Sequence, residues 1–462
     1  MKIKIQVFLL GLLFLLSCSK IAKENESGSF KVPVDYYTLE NGLKVILSQD
    51  KTAPTIVIAV YYNIGFRIEP KDRTGFAHLF EHMMFQGSRN LGKMEFVKLI
   101  QQNGGVLNGS TRFDFTNYFE IVPSHKLETI LWAEADRMKG LAITQDNLAN
   151  QQGVVKNEVK VNVLNKPYGG FPWLDMPQYA NENWYNAHNF YGDLEDLDSA
   201  NLEDVQSFFS TYYSPNNAAL SIVGDFETEE AKEWINKYFG GIPSVDLPKR
   251  PDISEPRQEI EKKFTKDDSL ATKPATAVAY KMPERNTPEY YAMGLLDQIL
   301  VQGNNSLLTQ KLVKENGYTS NVNGGINYLG NMFNYNGPMV WMFNCTYDAT
   351  TSEDSLIYSI DQVLAEVEKG VNQEMIDNAI VKIRSELYDD LGNYFGMGRA
   401  DLLCSFALFD NDPARINQIE KEFKQITPKI MNKTVKEFLR KSNRTILTVN
   451  PLGSSQVSST KL

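Results

Sequence analysis

At its centre the sequence reads Thr74-Gly75-Phe76-Ala77-His78-Leu79-Phe80-Glu81-His82-Met83-Met84-Phe85, an apolar run without proline that contains the pattern His-x-x-Glu-His. If this stretch is helical, His78 and His82 lie one turn apart on the same face. Two imidazoles at that spacing can bind one small metal ion, and nitrogen ligands of this kind suit zinc. Glu81 lies on the same turn and can hold a carboxylate beside the metal without binding it. That is the position of a general base acting on a metal-activated water.

The simpler interpretation of this stretch is a core helix with two buried histidines and a salt-bridged glutamate. The distribution of histidine argues against it, because the chain has four histidines and half of them fall in this one turn. The pattern also inverts His-Glu-x-x-His, the more common order on zinc-binding helices. We therefore favour a metal site over a structural core helix.

Length and charge set broad limits on the protein. With 462 residues the chain exceeds the usual size of one hydrophobic core, so two or more domains are expected. The composition is that of an ordinary globular protein. The formal net charge of −10 argues against a nucleic-acid surface, and we predict no nucleic-acid partner.

The first residues have the features of a targeting segment. Lysines precede an apolar run over residues 7–16, which is too short to span a bilayer. Leu15-Leu16-Ser17-Cys18 then resembles the bacterial lipobox, in which the cysteine is lipidated and becomes the mature N-terminus; an ordinary secretory signal cleaved nearby is the alternative. We expect lipidation at Cys18 and a location in the cell envelope, facing the periplasm, with the lipid as the only contact with the membrane. Ser19 favours the outer membrane over the inner one.

A third metal ligand is expected from a helix further along the chain. Apolar residues and Glu158 recur at helical spacing within residues 146–164. A carboxylate on the inner face of an apolar stripe needs a partner, because burying it unpaired is costly. Glu158 is therefore a candidate ligand, although it lies far beyond His82 in the sequence. A salt bridge to a lysine such as Lys156 or Lys160 would satisfy it equally well, and the residues alone do not decide.

The order of secondary-structure elements recurs along the chain. The first half shows a hairpin around Asn41-Gly42, a buried apolar strand over residues 55–62 and then the metal-motif helix. After a proline-rich stretch, a strand over residues 276–280 is followed by a helix over residues 288–301 that has no histidine. Two similar α+β halves of this kind indicate an internal duplication.

These features divide the chain into six segments. They are a lipoprotein signal peptide (1–18), a tether (19–31), a zinc-binding domain (32–242), a linker (243–256), a second domain without the metal motif (257–455) and a tail (456–462). Beyond the lipobox the chain has two cysteines, Cys345 and Cys404, both among apolar residues. One disulfide is possible, but buried free thiols are at least as compatible with these surroundings.

These residues together resemble the pitrilysin-type zinc peptidases, the inverted-motif family that includes the mitochondrial processing peptidases and insulin-degrading enzyme. The resemblance is to the short bacterial members and extends from about residue 37 to residue 451. It implies an α+β fold of two similar halves, each a mainly antiparallel sheet covered by helices, which face each other as a clamshell over a chamber. The most similar stretches are 39–47, 65–69, 75–87, 104–111, 154–158 and 213–224.

The resemblance also implies a ligand set and a base. His78, His82 and Glu158 would bind one zinc ion, and Glu81 would activate the water. Family members often carry a second glutamate seven residues before the third ligand, and here Gln151 holds that position. We expect Gln151 to support the site by hydrogen bonding without a charge.

Substrate binding is implied by a further match. Asn108, with Gly109 after it, corresponds to the asparagine of the family's edge strand, where the substrate adds as an extra strand through main-chain hydrogen bonds. Such binding depends on the backbone more than on side chains. It therefore suits extended peptides and excludes folded proteins.

The second half departs from the family at two positions. Active single-chain members carry an arginine and a tyrosine there that contact the substrate, and alignment over residues 311–322 places Val313 and Ser320 at these positions. Neither side chain can stabilise an oxyanion in the same way. Tyr318 is close by but two residues out of register. We therefore expect a sister subunit that supplies the arginine and the tyrosine, or else a homodimer.

The sequence thus predicts a zinc-dependent metalloendopeptidase that hydrolyses extended peptides or small unfolded proteins in the bacterial cell envelope, as the zinc-bearing subunit of a complex. The alternative is a non-catalytic peptide-binding or assembly lipoprotein that retains the peptidase fold. That alternative explains Val313 and Ser320 but leaves the intact metal motif without a purpose.

Overall fold

Two β-sheets organise the chain, one in each half of the sequence. A computed structural model describes residues 31–452. The strands of the first sheet are β1 (Asp35–Thr38), β2 (Lys44–Gln49), β3 (Thr55–Tyr62), β4 (Val106–Thr111), β5 (Thr116–Pro123) and β6 (Ala218–Gly224). They lie in the order β1-β2-β6-β3-β5-β4, in which β2 and β6 are parallel and the other neighbours are antiparallel.

The second sheet repeats this plan with one strand fewer. Its strands are β7 (Lys262–Asp268), β8 (Ala275–Lys281), β9 (Asn323–Ile326), β10 (Val340–Thr346) and β11 (Arg444–Pro451). Their order is β7-β11-β8-β10-β9, with β7 and β11 parallel. The order β2-β6-β3-β5-β4 in the first sheet is the same arrangement. The predicted fold of two similar halves with mainly antiparallel sheets is therefore confirmed.

Helices cover both sheets. The helices of the first half are α1 (Phe76–Met83), α2 (Glu95–Gln102), α3 (Leu127–Lys139), α4 (Gln145–Val159), α5 (Asp175–Ala180), α6 (Trp184–Ala187), α7 (Leu194–Ser199), α8 (Leu202–Tyr212) and α9 (Thr228–Phe239). Those of the second half are α10 (Pro288–Leu300), α11 (Glu353–Lys369), α12 (Gln373–Gly392), α13 (Met397–Phe409), α14 (Ile419–Lys424) and α15 (Pro428–Phe438). Helix α4 continues directly into a π-helical turn, Lys160–Leu164. Residues 240–261, between α9 and β7, contain no helix or strand.

Strand β3 is buried on both faces, as its continuous apolar sequence predicts. On one face Ile56, Ile58 and Val60 join the core formed with the helices of the first half. On the other face Tyr61 donates a hydrogen bond to Asp401 of α13, at 2.7 Å. A helix of the second half therefore covers the far side of the first sheet.

The exchange of helices between the halves is reciprocal. Cys404 of α13 lies with its Sγ 4.0 Å from the carbonyl oxygen of Ala59 and 3.9 Å from that of Ala219. Met176 and Ala180 of α5 pack on the second sheet, against the alanine face of β8, which is formed by Ala275, Ala277 and Ala279. Small side chains at both contacts let the helices lie close to the strands. Each sheet is thus completed by a helix from the other half.

Cys345 and Cys404 are both free and buried. Burial raises the pKa of Cys345 to about 12, so its thiol stays protonated. Of the two arrangements that the sequence left open, the structure shows the two buried free thiols.

Several sequence predictions fall on residues outside the described range. They concern the signal peptide, lipidation at Cys18, all but the last residue of the tether, and the tail. Within residues 31–452, none of the helices has the length and the apolar character required to cross a bilayer.

Candidate metal centre

The metal-motif helix α1 begins at a glycine in the left-handed conformation. Gly75 has a φ of 80°, and a Cβ at this position would lie 2.5 Å from the carbonyl oxygen of Tyr191, so glycine is required. Glu69 accepts hydrogen bonds from the backbone N–H groups of Gly75, at 2.9 Å, and of Ala77. Such groups lack partners at a helix N-terminus, and a carboxylate is favourable there. The start of α1 is fixed in this way.

The two histidines of α1 turn their Nε2 atoms toward each other, 3.3 Å apart. His78 is buried, and this burial, with the nearby His82 as a second cause, lowers the pKa of His78 to about 4. His78 is therefore neutral near pH 7, which is the form that binds a metal ion.

Glu158 reaches the same point from α4. Its Oε1 lies 3.7 Å from His78 Nε2, and its Oε2 lies 3.3 Å from His82 Nε2. Hydrogen bonding to His82 lowers the pKa of Glu158, while partial burial of the carboxylate acts in the opposite direction. Lys156, one alternative partner predicted for Glu158, is paired with Asp198 instead. The carboxylate therefore belongs to the histidine cluster.

The geometry of His78, His82 and Glu158 fits a zinc ion. Their ligand atoms lie within 4.8 Å of one another, and no other such group of His, Cys, Asp and Glu occurs among residues 31–452. Tetrahedral ligands at about 2.0–2.1 Å from zinc are about 3.3–3.4 Å apart. The three separations here are 3.3, 3.3 and 3.7 Å. Two nitrogens and one carboxylate leave a fourth position open, as in catalytic zinc sites and unlike structural ones.

Glu81 lies beside the three ligands and is held by the first sheet. Thr111 donates a hydrogen bond from Oγ1 to Glu81 Oε2, at 2.8 Å. Burial raises the pKa of Glu81, although the hydrogen bond from Thr111 and the charge of His82 act in the opposite direction. A carboxylate whose pKa is raised in this way is suited to accept a proton and return it.

Strand β4 forms the edge of the first sheet next to Glu81. It pairs with β5 on one side only. Asn108 is exposed on this strand, and Gly109 is buried so closely that a Cβ would lie 3.3 Å from Glu81 Cγ. An unpaired edge of this kind can accept an extended peptide as a further strand. Asn108 and Gly109 thus lie where a bound peptide would pass the base.

A cavity of about 970 Å³, here called the chamber, lies between the two halves. Its lining includes Asn108 and Gly109 of β4 and all four residues of β9. The charged residues of the lining are Asp297, Glu386, Asp390, Asp401 and Arg112. Val313 and Ser320 are not among the lining residues; within the described part of the chain, the lining contains Arg112, Tyr61 and Tyr328.

The hydrogen-bond partner of Glu158 outside the ligand set is Tyr191, and Gln151, which the sequence predicts as a support of the site, has a different partner. Gln151 is buried, and its amide donates to the neighbouring Asn150 at 2.8 Å. The hydroxyl of Tyr191 donates to Glu158 Oε1 at 3.2 Å. Sequence reasoning missed Tyr191 as well as Thr111. Alternation along β4 could have identified Thr111, because Thr111 faces the same side of the strand as Gly109. For Tyr191 the sequence gives only a weak signal, namely the aromatic character of the segment in which it lies.

The fold and the site together define a class, that of proteins built from two similar α+β halves in which, among residues 31–452, the metal-ligand set lies in the first half. Two family models match the chain. Insulinase (Peptidase family M16) matches residues 44–180, and Peptidase M16 inactive domain matches residues 199–382. The chain belongs to peptidase family M16, which confirms the resemblance seen in its sequence.

Known relatives agree with this assignment. The chain is 25% identical over 427 residues to the zinc protease PqqE of Helicobacter pylori, covering 90% of this chain and 92% of the relative. It is 26% identical over 202 residues to the mitochondrial-processing peptidase subunit beta of Bos taurus, covering 44% and 41%. A solved structure of a protease from Helicobacter pylori superimposes with a TM-score of 0.82 at 24% identity, covering 91% of this chain and 100% of that one.

Proposed function

We propose that this chain is a zinc-dependent metalloendopeptidase that hydrolyses extended peptides or small unfolded proteins. The observation that carries the proposal is the triangle of His78 Nε2, His82 Nε2 and the Glu158 carboxylate, with Glu81 beside it. Membership of family M16 and a relative named a zinc protease support it. His78, His82 and Glu158 would hold one zinc ion.

The reaction is derived from what the residues of this chain do. When bound, zinc supplies a Lewis acid that polarises the scissile carbonyl and acidifies the attacking water. Glu81 accepts a proton from that water and delivers it to the leaving amine. Thr111 keeps the Glu81 carboxylate in place through its hydroxyl. The free edge of β4 holds the peptide by main-chain hydrogen bonds, and therefore selects chains that are already extended.

The chain is further proposed to act as the zinc-bearing subunit of a complex. Val313 and Ser320 occupy the positions where the family resemblance calls for an arginine and a tyrosine. The bovine relative is, by its name, one subunit of a processing peptidase. A sister subunit would supply the two missing side chains, and a homodimer is the alternative assembly.

The place of action is proposed from the first residues of the sequence. The lipobox-like Leu15-Leu16-Ser17-Cys18 supports a lipid anchor at Cys18 in the bacterial cell envelope, facing the periplasm and held by the outer membrane in preference to the inner one. Cys18→Ala should then release the protein from the membrane fraction.

The second candidate function is a non-catalytic peptide-binding or assembly lipoprotein. The description of the second half as an inactive domain favours it, as do Val313 and Ser320. Zinc content separates the two candidates only in part, because a binding protein can retain a metal. Turnover decides between them.

The test compares the chain with its Glu81→Gln variant on a quenched-fluorescent peptide, with and without zinc, first together with any partner subunit that co-purifies with it and then as the isolated chain. We expect Glu81→Gln to lose hydrolysis and to keep its zinc, while Glu368→Gln, at an exposed position of α11, keeps both. Hydrolysis that persists in Glu81→Gln refutes the assigned base. Full zinc-dependent turnover by the isolated wild-type chain refutes the two-subunit arrangement but not the peptidase.

A further inference from the structure

One aromatic side chain contacts both elements that carry the metal ligands. The hydroxyl of Tyr191 donates to Glu158 Oε1 on α4, at 3.2 Å. The ring of the same residue lies edge-on against the ring of His78 on α1, with centroids 5.1 Å apart and planes at 72°. Among residues 31–452, the Glu158 side chain makes polar contacts with His78, with His82 and with Tyr191.

The surroundings of Tyr191 leave its ring little freedom. Tyr191 is 5% exposed, and Trp173 and Phe190 pack edge-on against it at centroid distances of 6.0 and 4.8 Å. The hydroxyl is therefore presented at one fixed place, next to a carboxylate that is itself partly exposed.

The main chain around Tyr191 is tied to the start of the metal-motif helix. The backbone N–H of Tyr191 donates to Asn189 Oδ1 at 2.8 Å, which holds a tight turn. The backbone N–H of Asp193 donates to Thr74 Oγ1 at 2.7 Å. The carbonyl oxygen of Tyr191 approaches Gly75 so closely that no Cβ fits there. The segment around Tyr191 is thus fixed to the start of α1 by its main chain and contacts Glu158 through its tyrosine hydroxyl.

Glu158 needs such a support because of where it lies. It is in the last turn of α4, directly before the π-helical turn, and its side chain is 29% exposed. A glutamate at such a place has several accessible rotamers, and only some of them point at the histidines. Gln151, which the sequence predicts as a support of the site, donates to Asn150.

We propose that Tyr191 is a positioning residue that holds the Glu158 carboxylate in the orientation required to bind the metal with His78 and His82. This inference rests on the proposed role of those three residues as zinc ligands. Outer hydrogen-bond partners of metal ligands commonly contribute a factor of about 10–100 to metal affinity, and Tyr191 should contribute within that range.

The test measures zinc affinity of the full chain by competition with a chromophoric chelator. Tyr191→Phe keeps the ring and its packing and removes only the hydroxyl. We expect zinc to bind about 10–100-fold more weakly to this variant, while the melting temperature of the zinc-free protein stays unchanged. Tyr185→Phe, which removes a hydroxyl on neighbouring α6, should leave the affinity unchanged.

A double-mutant comparison shows whether the effect passes through Glu158. In a Glu158→Ala background, adding Tyr191→Phe should cause no further loss of affinity. Equal affinity of wild type and Tyr191→Phe overturns the inference and leaves the proposed function intact, and so does an effect of full size in the Glu158→Ala background. A wild-type chain that binds no zinc overturns the proposed function itself.

Discussion

The amide of Gln298 donates to Glu386 Oε2 over 2.7 Å, and this contact joins two helices of the second half that correspond to the two helices joined by His82 and Glu158 in the first. Helix α10 follows β8 as α1 follows β3, and the alignment that places Gln298 opposite His82 also matches the Gln-Gly pair that follows each helix. Glu386 lies on α12, the counterpart of α4. The second half therefore has an amide in contact with a carboxylate where the first half has an imidazole in contact with a carboxylate.

The other two positions of the motif have changed in the same way. The same alignment places Gly294 opposite His78 and Asp297 opposite Glu81. A glycine offers no ligand, so the second half retains two carboxylates and an amide where the first half has two nitrogens and two carboxylates. Such a set explains why only the first half forms a metal-ligand cluster within the described residues.

The first prediction concerns the number of zinc ions. His82→Gln introduces into the first half the residue found at the equivalent place in the second, and it leaves two ligands, His78 and Glu158. We expect metal analysis after dialysis to find one zinc ion in each wild-type chain and none in this variant. Gln298→Ala should keep the single ion. Two ions per wild-type chain would contradict the assignment of the second half.

The second prediction tests the contact between β4 and the base. A Cβ at Gly109 would lie 3.3 Å from Glu81 Cγ and 3.2 Å from Tyr118 Cδ1. Gly109→Val should therefore displace the Glu81 carboxylate and lower kcat/KM by at least about tenfold, equivalent to about 1.4 kcal/mol in the barrier, while zinc stays bound. The matched control is Gly153→Ala on α4, where the added Cβ meets nothing within 4 Å. An unchanged kcat/KM for Gly109→Val would show that Glu81 is not constrained from this side.

The third prediction concerns a buried ion pair that joins the halves. Arg67 pairs with Asp114 at 2.8 Å, both side chains being fully buried, and also donates to the carbonyl oxygen of Pro338 in the second half at 3.0 Å. Arg67→Met leaves Asp114 buried without its partner, which typically costs about 3–5 kcal/mol. We expect a large drop in the urea midpoint. Lys51→Met, at an exposed ion pair with Glu227, should leave the midpoint unchanged.

The fourth prediction concerns the pH dependence of stability. Burial raises the pKa of Asp297 from 3.8 to about 6, while hydrogen bonds from Trp341 and Gln302 act in the opposite direction. Because the pKa of the folded state lies above that of the unfolded chain, folding favours the protonated acid. This contribution to stability is complete below a pH of about 4 and is lost as the pH rises through 6. The Asp297→Asn variant lacks this loss of stability, because an asparagine side chain does not ionise.

Urea unfolding at several pH values checks this expectation. Relative to wild type, the free energy of unfolding of Asp297→Asn should increase by up to about 3 kcal/mol between pH ~4 and pH ~7. Asp246→Asn, at an exposed acid, should show a constant difference from wild type. A constant difference for Asp297→Asn as well would mean that the buried acid titrates normally.

Local sequence patterns were sufficient to predict much of the fold and most of the ligand set. The histidine pair and strand β3 could be predicted because helical and strand periodicities are properties of neighbouring residues. Glu158 could be proposed as a candidate for the same reason, since it recurs with apolar residues on a helix. Its choice over a lysine salt bridge needed the family resemblance, because sequence does not show which groups approach from other elements.

Features that depend on tertiary contacts were not predictable in this way. Tyr191 lies far beyond its partner Glu158 in the sequence, in a segment without periodicity. Strand β7 has alternate residues exposed and a polar sequence, and β9 reads Asn-Gly-Gly-Ile, which is an unfavourable composition for a strand. Both segments are extended because their main chains form hydrogen bonds with a neighbouring strand. The sequence does not show which strands will be neighbours, so this pairing becomes apparent only in the folded sheet.

The packing of α5 and α13, each on the sheet of the opposite half, has a consequence for engineering. A fragment ending within the proline-rich stretch would uncover an apolar sheet surface that its own sequence cannot conceal, so the two halves are not separable modules. An isolated half would therefore need its missing cover supplied in trans, by a peptide corresponding to α13 for the first sheet or to α5 for the second.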